Sequence, residues 1–446
     1  MSAPAGHAIA PARACAYIVL RRVFEEGAYA DKALQAGAEQ LSARDRALAM
    51  RLAYGSIQRK ATLDHLIERL AERPAGRLQA PLLAALRLGL YELVYLQGAP
   101  DYAVVADAVE LAKQGGGAGH GLVNAVLRRA AREGPAALLD GLSDRTPSEA
   151  ALLHSHPEWI ARLWWEELGA EQARALMAFD NEPAELALRV NTLVSDTATV
   201  ARALDPAPTH ADPAIPEALV LDGPFDVHGS ALWREGAILA QSRAAMLVAR
   251  ALSPRPGEKV LDLCAAPGGK STHAAALMKG AGSLVAVERN PARARELVRS
   301  AQRMRAPNIH VEVSDAALPR PDGPIFDRVL VDPPCSGLGT LQARADLRWR
   351  ITPERMRAMA VTQAGILACG AAAVRPGGVL VYSTCTISPI ENEHLIAAFL
   401  DSHADFSIDD LAAESPALAM AYPGPLLTLP HRDHTAGFFI ARLLRS

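Results

Sequence analysis

Two cysteines follow two apolar, strand-like segments of this chain, and a third such segment leads into a loop with two glycines. Cys335 lies in VLVDPPCSG, Cys385 lies in VLVYSTCTIS, and the third segment is VLDLCAAPGGKS. If the three segments are parallel strands of one sheet, their carboxyl ends meet at the crevice where such sheets bind ligands. One cofactor loop with two converging thiols predicts covalent attack on an electron-poor ring, followed by transfer of a methyl group.

The loop in the third segment has the features of a cofactor site. Gly268 and Gly269 allow close backbone approach, and the following helix offers its N-terminus to a polar ligand. The spacing of a Walker loop is absent from the sequence, which leaves nicotinamide, flavin and S-adenosylmethionine as candidates. Glu288 closes the next strand, where an acid hydrogen-bonds ribose hydroxyls, and Asp315 follows the third strand in position for an adenine amino group. The alternative for both acids is a simple capping role.

The Asp-Pro-Pro-Cys sequence after the fourth predicted strand is more specific. Its two prolines restrict the backbone, so that Asp332 and Cys335 are held on a short rigid loop. Asp-Pro-Pro alone fits a methyltransferase acting on planar nitrogen or carbon, and the added cysteine favours carbon. Cytosine C5 attacks a methyl sulfonium poorly, but a thiolate added to C6 makes C5 enamine-like. One thiol would then add to the ring and the other assist breakdown of the adduct, with Asp332 as the candidate acid near N3.

The three other cysteines have plainer interpretations. Cys15 and Cys369 lie in helical apolar patterns and are predicted to be small buried hydrophobes, and Cys264 is predicted to pack beside the cofactor loop. The five cysteines form neither a C-x-x-C pair nor a zinc spacing, so we predict no metal site and reduced thiols. The sequence also has no secretory signal pattern and no uninterrupted apolar stretch of roughly 18 residues. We therefore expect a cytoplasmic protein that does not span a membrane.

The pattern along the 446 residues predicts a multidomain protein. Residues 1–138 carry successive amphipathic helices and indicate an all-α domain. Residues 139–235 indicate a small α+β connecting domain, with a helix from Pro157 to Gly169, a strand in ELALRVNTL, and a proline-rich loop over 204–220. Residues 236–446 alternate strand and helix, which is typical of an α/β, Rossmann-like, doubly wound sheet. Its predicted strands are 259–264, 283–288, 309–313, 326–331 and 378–383, followed by an antiparallel strand at 437–444.

The net charge alone argues against a nucleic-acid partner. The net charge is −3, so contacts with RNA would have to come from local basic patches. Two arginine clusters are candidates, and the alternative for each is a solvated helix face. They are Arg128, Arg129 and Arg132, and Arg344, Arg348 and Arg350.

The motifs together resemble a known family. DLCAAPGGKS, VDPPCSGLGTL and YSTCTISPIENE closely match the Nop/Sun family of S-adenosylmethionine-dependent RNA cytosine-C5 methyltransferases. The segments LSARDRALAMRLAYGSIQRK, LRLGLYELVYL and GLVNAVLRRAAR resemble the NusB-type RNA-binding helical domain. This combination covers nearly the whole chain and implies a bacterial enzyme that modifies 16S ribosomal RNA. It implies no membrane association and no stable protein partner, with a monomer as the default expectation.

The resemblance also implies roles for individual residues. Cys385 matches the family's nucleophile, and Cys335 matches the cysteine that helps to release the product. Lys270 is implied to approach the substrate as well as the cofactor. This chain departs from the family pattern at Ser242 and Ala436, where the family usually has aspartate. The residues implied to hold S-adenosylmethionine are Cys264, Ala265, Ala266, Pro267, Gly268, Gly269, Lys270, Glu288, Asp315 and Asp332.

Three other functions remain open from the sequence. A tRNA cytosine-C5 methyltransferase would carry the same catalytic loops. A methyltransferase acting on an amino group would use Asp-Pro-Pro without needing either cysteine. A non-catalytic RNA-binding assembly or antitermination factor would need neither the cysteines nor the cofactor.

Overall fold

The computed structural model of the chain describes residues 8–96, 98–116, 118–321, 323–409 and 424–446. The chain divides into two compact units. One comprises Met1–Pro183 with Leu341–Arg350, and the other comprises Ala184–Thr340 with Ile351–Ser446. The predicted division into three domains, at 1–138, 139–235 and 236–446, stays a prediction. The two compact units do not test where those three domains begin and end.

The N-terminal region is all-helical, as predicted. The amphipathic pattern buries leucines such as Leu20, Leu52, Leu66 and Leu86 completely in one core. Ser42 begins α3 by accepting a hydrogen bond from the Asp45 backbone amide at 3.1 Å. The helices are α1 (Pro11–Glu25), α2 (Ala30–Gly37), α3 (Ala43–Gln58), α4 (Lys60–Ala71), α5 (Ala80–Tyr95), α6 (Asp101–Gln114), α7 (His120–Leu139, kinked at Gly134), α8 (Pro147–Leu153), α9 (Glu158–Leu168) and α10 (Ala170–Phe179).

The segment Leu341–Arg350 belongs to the helical unit although it follows the Asp-Pro-Pro-Cys loop in sequence. Its Arg348 side chain is completely buried, and its guanidinium donates at 3.0 Å to the Ser155 carbonyl, the Asn181 side chain and the Asp180 carbonyl. Burial lowers the pKa of Arg348 to about 10. The prediction of an RNA-binding patch that includes Arg348 is therefore wrong, because backbone carbonyls already use its donors.

A small antiparallel sheet begins the second unit, with strand order β2-β3-β1-β4. The predicted strand in ELALRVNTL is confirmed as β1. The predicted loop over 204–220 is partly wrong, because it contains β2 and the start of β3. The edge strand β2 has only three residues. Pro208 and Pro213 lie outside it, so their lack of an amide hydrogen removes no hydrogen bond between β2 and β3. The elements are β1 (Leu186–Val190), α11 (Thr197–Ala203), β2 (Thr209–Ala211), β3 (Ala218–Leu221), α12 (Ala231–Arg234) and β4 (Ile238–Ala240).

The larger sheet has the order β10-β12-β9-β8-β5-β6-β7, with β11 paired to β12. The five predicted parallel strands are confirmed as β5 to β9, and the last strand, β12, is antiparallel to β9 as predicted. The inner strands β5, β6 and β8 are mostly apolar because helices cover the sheet, whereas β7 alternates apolar and polar residues. Its elements are α13 (Arg243–Leu252), β5 (Lys259–Leu263), α14 (Gly269–Leu277), β6 (Ser283–Val287), α15 (Pro291–Arg303), β7 (Ile309–Glu312), β8 (Phe326–Val331), α16 (Pro353–Ala373), β9 (Val374–Thr384), α17 (Glu393–Ser402), β10 (Phe406–Ile408), β11 (Leu426–Leu427), α18 (Pro430–Asp433) and β12 (Phe439–Arg445).

Among the residues that the structure describes, one helix, α16, is long and apolar enough to cross a membrane by length and composition, whereas the sequence analysis predicts none. Core helices of soluble proteins satisfy the same criterion. In α16 the Gly370 position approaches β8 so closely that an added Cβ would lie 2.6 Å from Val331 Cγ2. The same face buries Gln363 and Leu367 completely. These contacts identify α16 as a helix packed on the sheet.

Candidate active site

The two cysteines singled out by the sequence lie side by side. Cys335 follows β8 and Cys385 follows β9, and these strands pair in parallel with Val331 opposite Tyr382. The two Sγ atoms are 3.1 Å apart, and both cysteines are partly exposed. The pairing of two neighbouring strands therefore brings the two thiol-bearing loops side by side.

The surroundings of Cys335 favour its protonated form. A hydrogen bond with Cys385, together with burial, raises the pKa of Cys335 well above its ordinary value. Cys335 therefore keeps its proton at neutral pH. A thiol that keeps its proton beside a second sulfur acts as a hydrogen-bond donor to that sulfur.

An ion pair lies next to the thiols. Lys270 Nζ donates to Asp332 Oδ2 at 2.7 Å, and Ser383 Oγ donates to Asp332 Oδ1 at 2.9 Å. Burial alone would lower the pKa of Lys270, but the Asp332 carboxylate outweighs it and the pKa is raised, with a smaller contribution from Cys385. The Lys270 ammonium also lies 5.1 Å from the centre of the Phe438 ring. The site thus holds a fixed positive charge close to Cys385.

The predicted cofactor loop connects β5 to α14. Cys264 has a φ of 66° and Gly268 has a φ of 101°, so the loop turns sharply at both ends. A Cβ added to Gly268 would lie 2.5 Å from Leu297 Cδ1, which explains the need for glycine there. Ala265 is anchored by its amide, which donates to the Val287 carbonyl at 2.9 Å. Burial raises the pKa of the Cys264 thiol to about 12, consistent with packing beside the loop.

An open cavity of about 280 Å³ lies at the carboxyl ends of β5, β6 and β7. Leu263, Val287 and Asp315 line it, so Asp315 is where the sequence placed it. Glu288 follows Val287 and is buried, and its Oε1 accepts from the Asn290 amide at 2.8 Å. Asp315 likewise accepts from the Ala317 amide at 3.0 Å. Both acids therefore accept a hydrogen bond from the backbone amide two residues later, which fits the alternative prediction of a local capping role. Their positions after β6 and β7 also fit the predicted contacts with a ligand.

Sequence reasoning overlooked two groups that support the loop. Asp262 on β5 is buried, accepts from Ser271 Oγ at 2.6 Å, and has its pKa raised to about 7 by burial. Arg189 on β1 is completely buried, and its guanidinium donates to the Gly269 carbonyl and to Thr272 Oγ1. The sequence gives no signal for either residue, because each is a single polar residue within an apolar strand pattern.

The loops of the two cysteines also meet a third loop at two glycines. The Gly339 amide donates to the Cys385 carbonyl at 3.1 Å, and the Gly437 amide donates to the Gly339 carbonyl at 2.7 Å. A Cβ added to Gly339 would lie 2.0 Å from the Gly437 carbonyl oxygen. Backbone atoms on both sides leave no room for a side chain.

We therefore expect Gly339→Ala to lower the free energy of unfolding by about 1–3 kcal/mol, as overpacking of a tight contact does. Urea unfolding of the purified variant measures this. Gly365→Ala is the matched control, since Gly365 lies on the exposed face of α16 with open space around it. The control should gain roughly 0.5–1 kcal/mol through helix propensity. Equal stability of Gly339→Ala and the unchanged protein would contradict the tight contact.

Three family models match this chain. The model of the 16S rRNA methyltransferase RsmB/F matches residues 249–444, that of the NusB family matches 10–132, and that of an RsmF/B-like ferredoxin-like domain matches 156–228. The NusB match agrees with the all-helical N-terminal region, and the ferredoxin-like match overlaps the small antiparallel sheet.

Whole-chain relatives carry the same combination. A probable ribosomal RNA small subunit methyltransferase B of Synechocystis is 36% identical over 98% of this chain and 99% of its own length. A protein of the same name from Bacillus subtilis is 36% identical over 91% of each chain. The crystal structure of PH0851 superposes with a TM-score of 0.80 at 26% identity, covering 98% of this chain and 100% of that one. The chain therefore belongs to the RsmB/F family of 16S rRNA methyltransferases.

Proposed function

We propose that the protein transfers a methyl group from S-adenosylmethionine to C5 of one cytosine in 16S ribosomal RNA, through a covalent adduct between Cys385 and cytosine C6. The observation that carries this proposal is the 3.1 Å separation of two sulfur atoms beside the Lys270–Asp332 ion pair. Methyl transfer to an amino group would need neither thiol. Covalent activation of C5 requires one thiol as the nucleophile and uses the second to assist release of the product.

The charges around the thiols favour Cys385 as the nucleophile. The raised pKa of Cys335 leaves that thiol protonated, so its S–H can donate to Cys385. The Lys270 ammonium favours negative charge on Cys385, because a nearby cation stabilises a thiolate. Both effects support Cys385 as the proposed nucleophile, the role that the motif implies.

The proposed steps conserve atoms and charge. The Cys385 thiolate forms a bond to C6, and N3 takes a proton that Asp332 relays from solvent water, while the Lys270 ammonium keeps its charge. The enamine-like C5 then forms its bond to the methyl group, whose bond to the sulfonium sulfur breaks with the electron pair left on that sulfur, and the C5 proton passes to solvent water. The C6–sulfur bond breaks with its electron pair leaving on Cys385, the C5–C6 double bond re-forms, and N3 returns its proton. The Cys335 S–H hydrogen-bonds the departing thiolate and so assists this last step.

The residues around the loop fit S-adenosylmethionine, which supplies an electrophilic methyl group on a sulfonium when bound. The loop from Cys264 to Lys270 would hold its polar end, since the glycines leave the backbone open there. Glu288 and Asp315 would contact the ribose and the adenine beside the 280 Å³ cavity. Asp332, at the end of β8, faces both this loop through Lys270 and the thiol loops through Ser383.

Arg189 provides a test of the loop that does not depend on the thiols. We expect Arg189→Met to weaken S-adenosylmethionine binding about tenfold, because the Gly269 carbonyl and Thr272 lose their donor. Isothermal titration calorimetry measures this affinity. Arg202→Met, on the exposed surface of α11 in the same small domain, is the matched control and should bind normally. Unchanged affinity in Arg189→Met would show that the arginine does not support the loop.

The names of the relatives support ribosomal RNA as the substrate. The helical region would bind RNA through exposed basic residues on α7, among them Arg128 and Arg132. A stacked target base would have to leave its stack to reach the thiols, at a cost of a few kcal/mol. All five cysteines are free, which suits a reducing compartment, so we propose a cytoplasmic location. A monomer remains the expectation.

Transfer of labelled methyl from S-adenosylmethionine to unmodified 16S rRNA tests this function, with unmodified tRNA as the parallel substrate. We expect one 5-methylcytosine in the ribosomal RNA and none in tRNA. Label at cytosine C5 in tRNA alone would support the proposed reaction but would show that tRNA, and not 16S rRNA, is the substrate. Label on an amino nitrogen would overturn the proposed reaction. Absence of S-adenosylmethionine binding would favour a non-catalytic RNA-binding factor.

A further inference from the structure

A buried carboxylate lies behind the two thiols, in the loop that precedes α17. Glu391 is 0% exposed. Its Oε1 accepts from the Ser336 amide and from Gln363 Nε2, each at 2.9 Å, and its Oε2 accepts from Ser336 Oγ. Its own backbone carbonyl accepts from the Tyr382 hydroxyl at 2.7 Å. One side chain therefore connects the loop after β8, the helix α16 and the loop before α17.

The partners of Glu391 are the immediate neighbours of the thiols. Ser336 follows Cys335 in sequence, and Thr386 follows Cys385. Ser336 Oγ and Thr386 Oγ1 are 2.7 Å apart, so the hydrogen-bond chain runs from Glu391 through Ser336 to Thr386. A displacement of the carboxylate would therefore move both cysteine-bearing loops.

The next residue holds the second loop from its other side. Asn392 Oδ1 accepts from Thr384 Oγ1 at 2.6 Å, and Asn392 Nδ2 donates to the Thr386 carbonyl at 2.9 Å. These bonds bracket Cys385, since Thr384 precedes it and Thr386 follows it. Glu391 and Asn392 together therefore fix the backbone on both sides of that thiol.

The donors that hold the Glu391 carboxylate are all neutral groups. A buried carboxylate without a cation is costly, and burial raises the pKa of Glu391 accordingly. An apolar side chain of the same size would leave the Ser336 amide without its acceptor, and Gln363 Nε2 would keep only the Pro334 carbonyl, which is also costly. The carboxylate supplies more acceptor sites than any neutral side chain, and it supplies them where the two thiol loops meet.

We propose that Glu391 is a positioning residue that sets the separation of the Cys335 and Cys385 sulfur atoms. It touches neither thiol and acts through Ser336 and Thr386. The consequence for turnover rests on the proposed function, whereas the consequence for the spacing of the two thiols does not.

The spacing is tested with phenylarsine oxide, which bridges two neighbouring thiols. Its arsenic forms a bond to each sulfur, and the two thiol protons leave with its oxygen as water. The unchanged protein should bind one equivalent tightly, and Cys335→Ala should not. Glu391→Ala should bind at least about tenfold more weakly, because a misplacement of roughly 1 Å is expensive for any bridged geometry. Glu391→Gln keeps the shape and two of the acceptor positions, and should bind within about threefold of the unchanged protein.

Methyl transfer by the same variants gives the second readout. Glu391→Ala should lower kcat about 30- to 100-fold with little change in KM for RNA or in S-adenosylmethionine affinity, and Glu391→Gln should restore most of it. Ser336→Ala replaces Glu391→Ala as the test if Glu391→Ala does not fold. It removes the hydroxyl that links Glu391 to Thr386 but keeps the hydrogen bond from the Ser336 amide to Glu391. It should show an intermediate loss of arsenical binding and of kcat. Undiminished bridging by folded Glu391→Ala, or by Ser336→Ala, would overturn the proposal. Loss of activity in Cys385→Ala is a separate result, and its absence would overturn the proposed reaction instead.

Discussion

Replacement of Cys385 by alanine is expected to abolish methyl transfer while leaving cofactor binding intact. Without the thiol, cytosine C5 is not converted to an enamine, and the remaining groups can only bind and orient. Loss of a covalent nucleophile typically costs about 10⁴-fold or more in turnover. The measurement is incorporation of labelled methyl into 16S rRNA at saturating RNA and S-adenosylmethionine. Calorimetry on the same sample checks that the cofactor still binds.

The matched control is Cys369→Ala. Cys369 lies on α16, outside the thiol pair, and is also free and partly exposed. This variant should keep nearly full activity. Activity of Cys385→Ala within about tenfold of the unchanged protein would contradict covalent catalysis by this thiol and would favour transfer to an amino group.

Replacement of Cys335 by alanine is expected to trap the enzyme on its RNA. Addition of Cys385 to C6 and methylation of C5 need no group from Cys335, but departure of the Cys385 thiolate loses its hydrogen-bond donor 3.1 Å away. The adduct should therefore accumulate to a large fraction of the enzyme, while turnover falls about 10²–10³-fold, the usual loss for one donor to a developing negative charge.

A denaturing gel with end-labelled RNA measures the trapped species. The expected result is a protein–RNA band for Cys335→Ala that survives heating in detergent. The double variant Cys335→Ala/Cys385→Ala should give no such band, which shows that the linkage depends on Cys385. A variant that turns over normally without a band would remove Cys335 from the release step.

The fold of the methyltransferase region is predictable because local sequence carries its signals. Strands β8 and β9 each contain an apolar run with polar residues after it, so Asp332, Cys335 and Cys385 mark the same edge of the sheet. The pairing of β8 with β9 then brings the cysteines together without further information. The spacing of 3.1 Å between their sulfur atoms depends on loop packing and was not predictable.

The residues that the sequence did not reveal act across long separations. Arg189 contacts a loop 80 residues away, and Arg348 contacts carbonyls up to 290 residues away. Glu391 reads as one acid in a polar loop, and only the fold shows that its carboxylate is buried behind two thiols. Arginine in a cluster of arginines resembles an RNA-binding surface, but burial among carbonyl oxygens gives it a structural role. Periodicity shows which face of an element is apolar; it does not show which polar group finds a distant partner.

The covalent link between Cys385 and cytosine is the central claim, and mass spectrometry of the species trapped by Cys335→Ala tests it most directly. The complex would be digested with protease and nuclease, and the cross-linked peptide sequenced. We predict one peptide, containing Cys385, that carries a single 5-methylated cytidine through its sulfur. A cytidine attached to any other residue, or an unmodified Cys385 peptide from RNA-linked protein, would contradict the account.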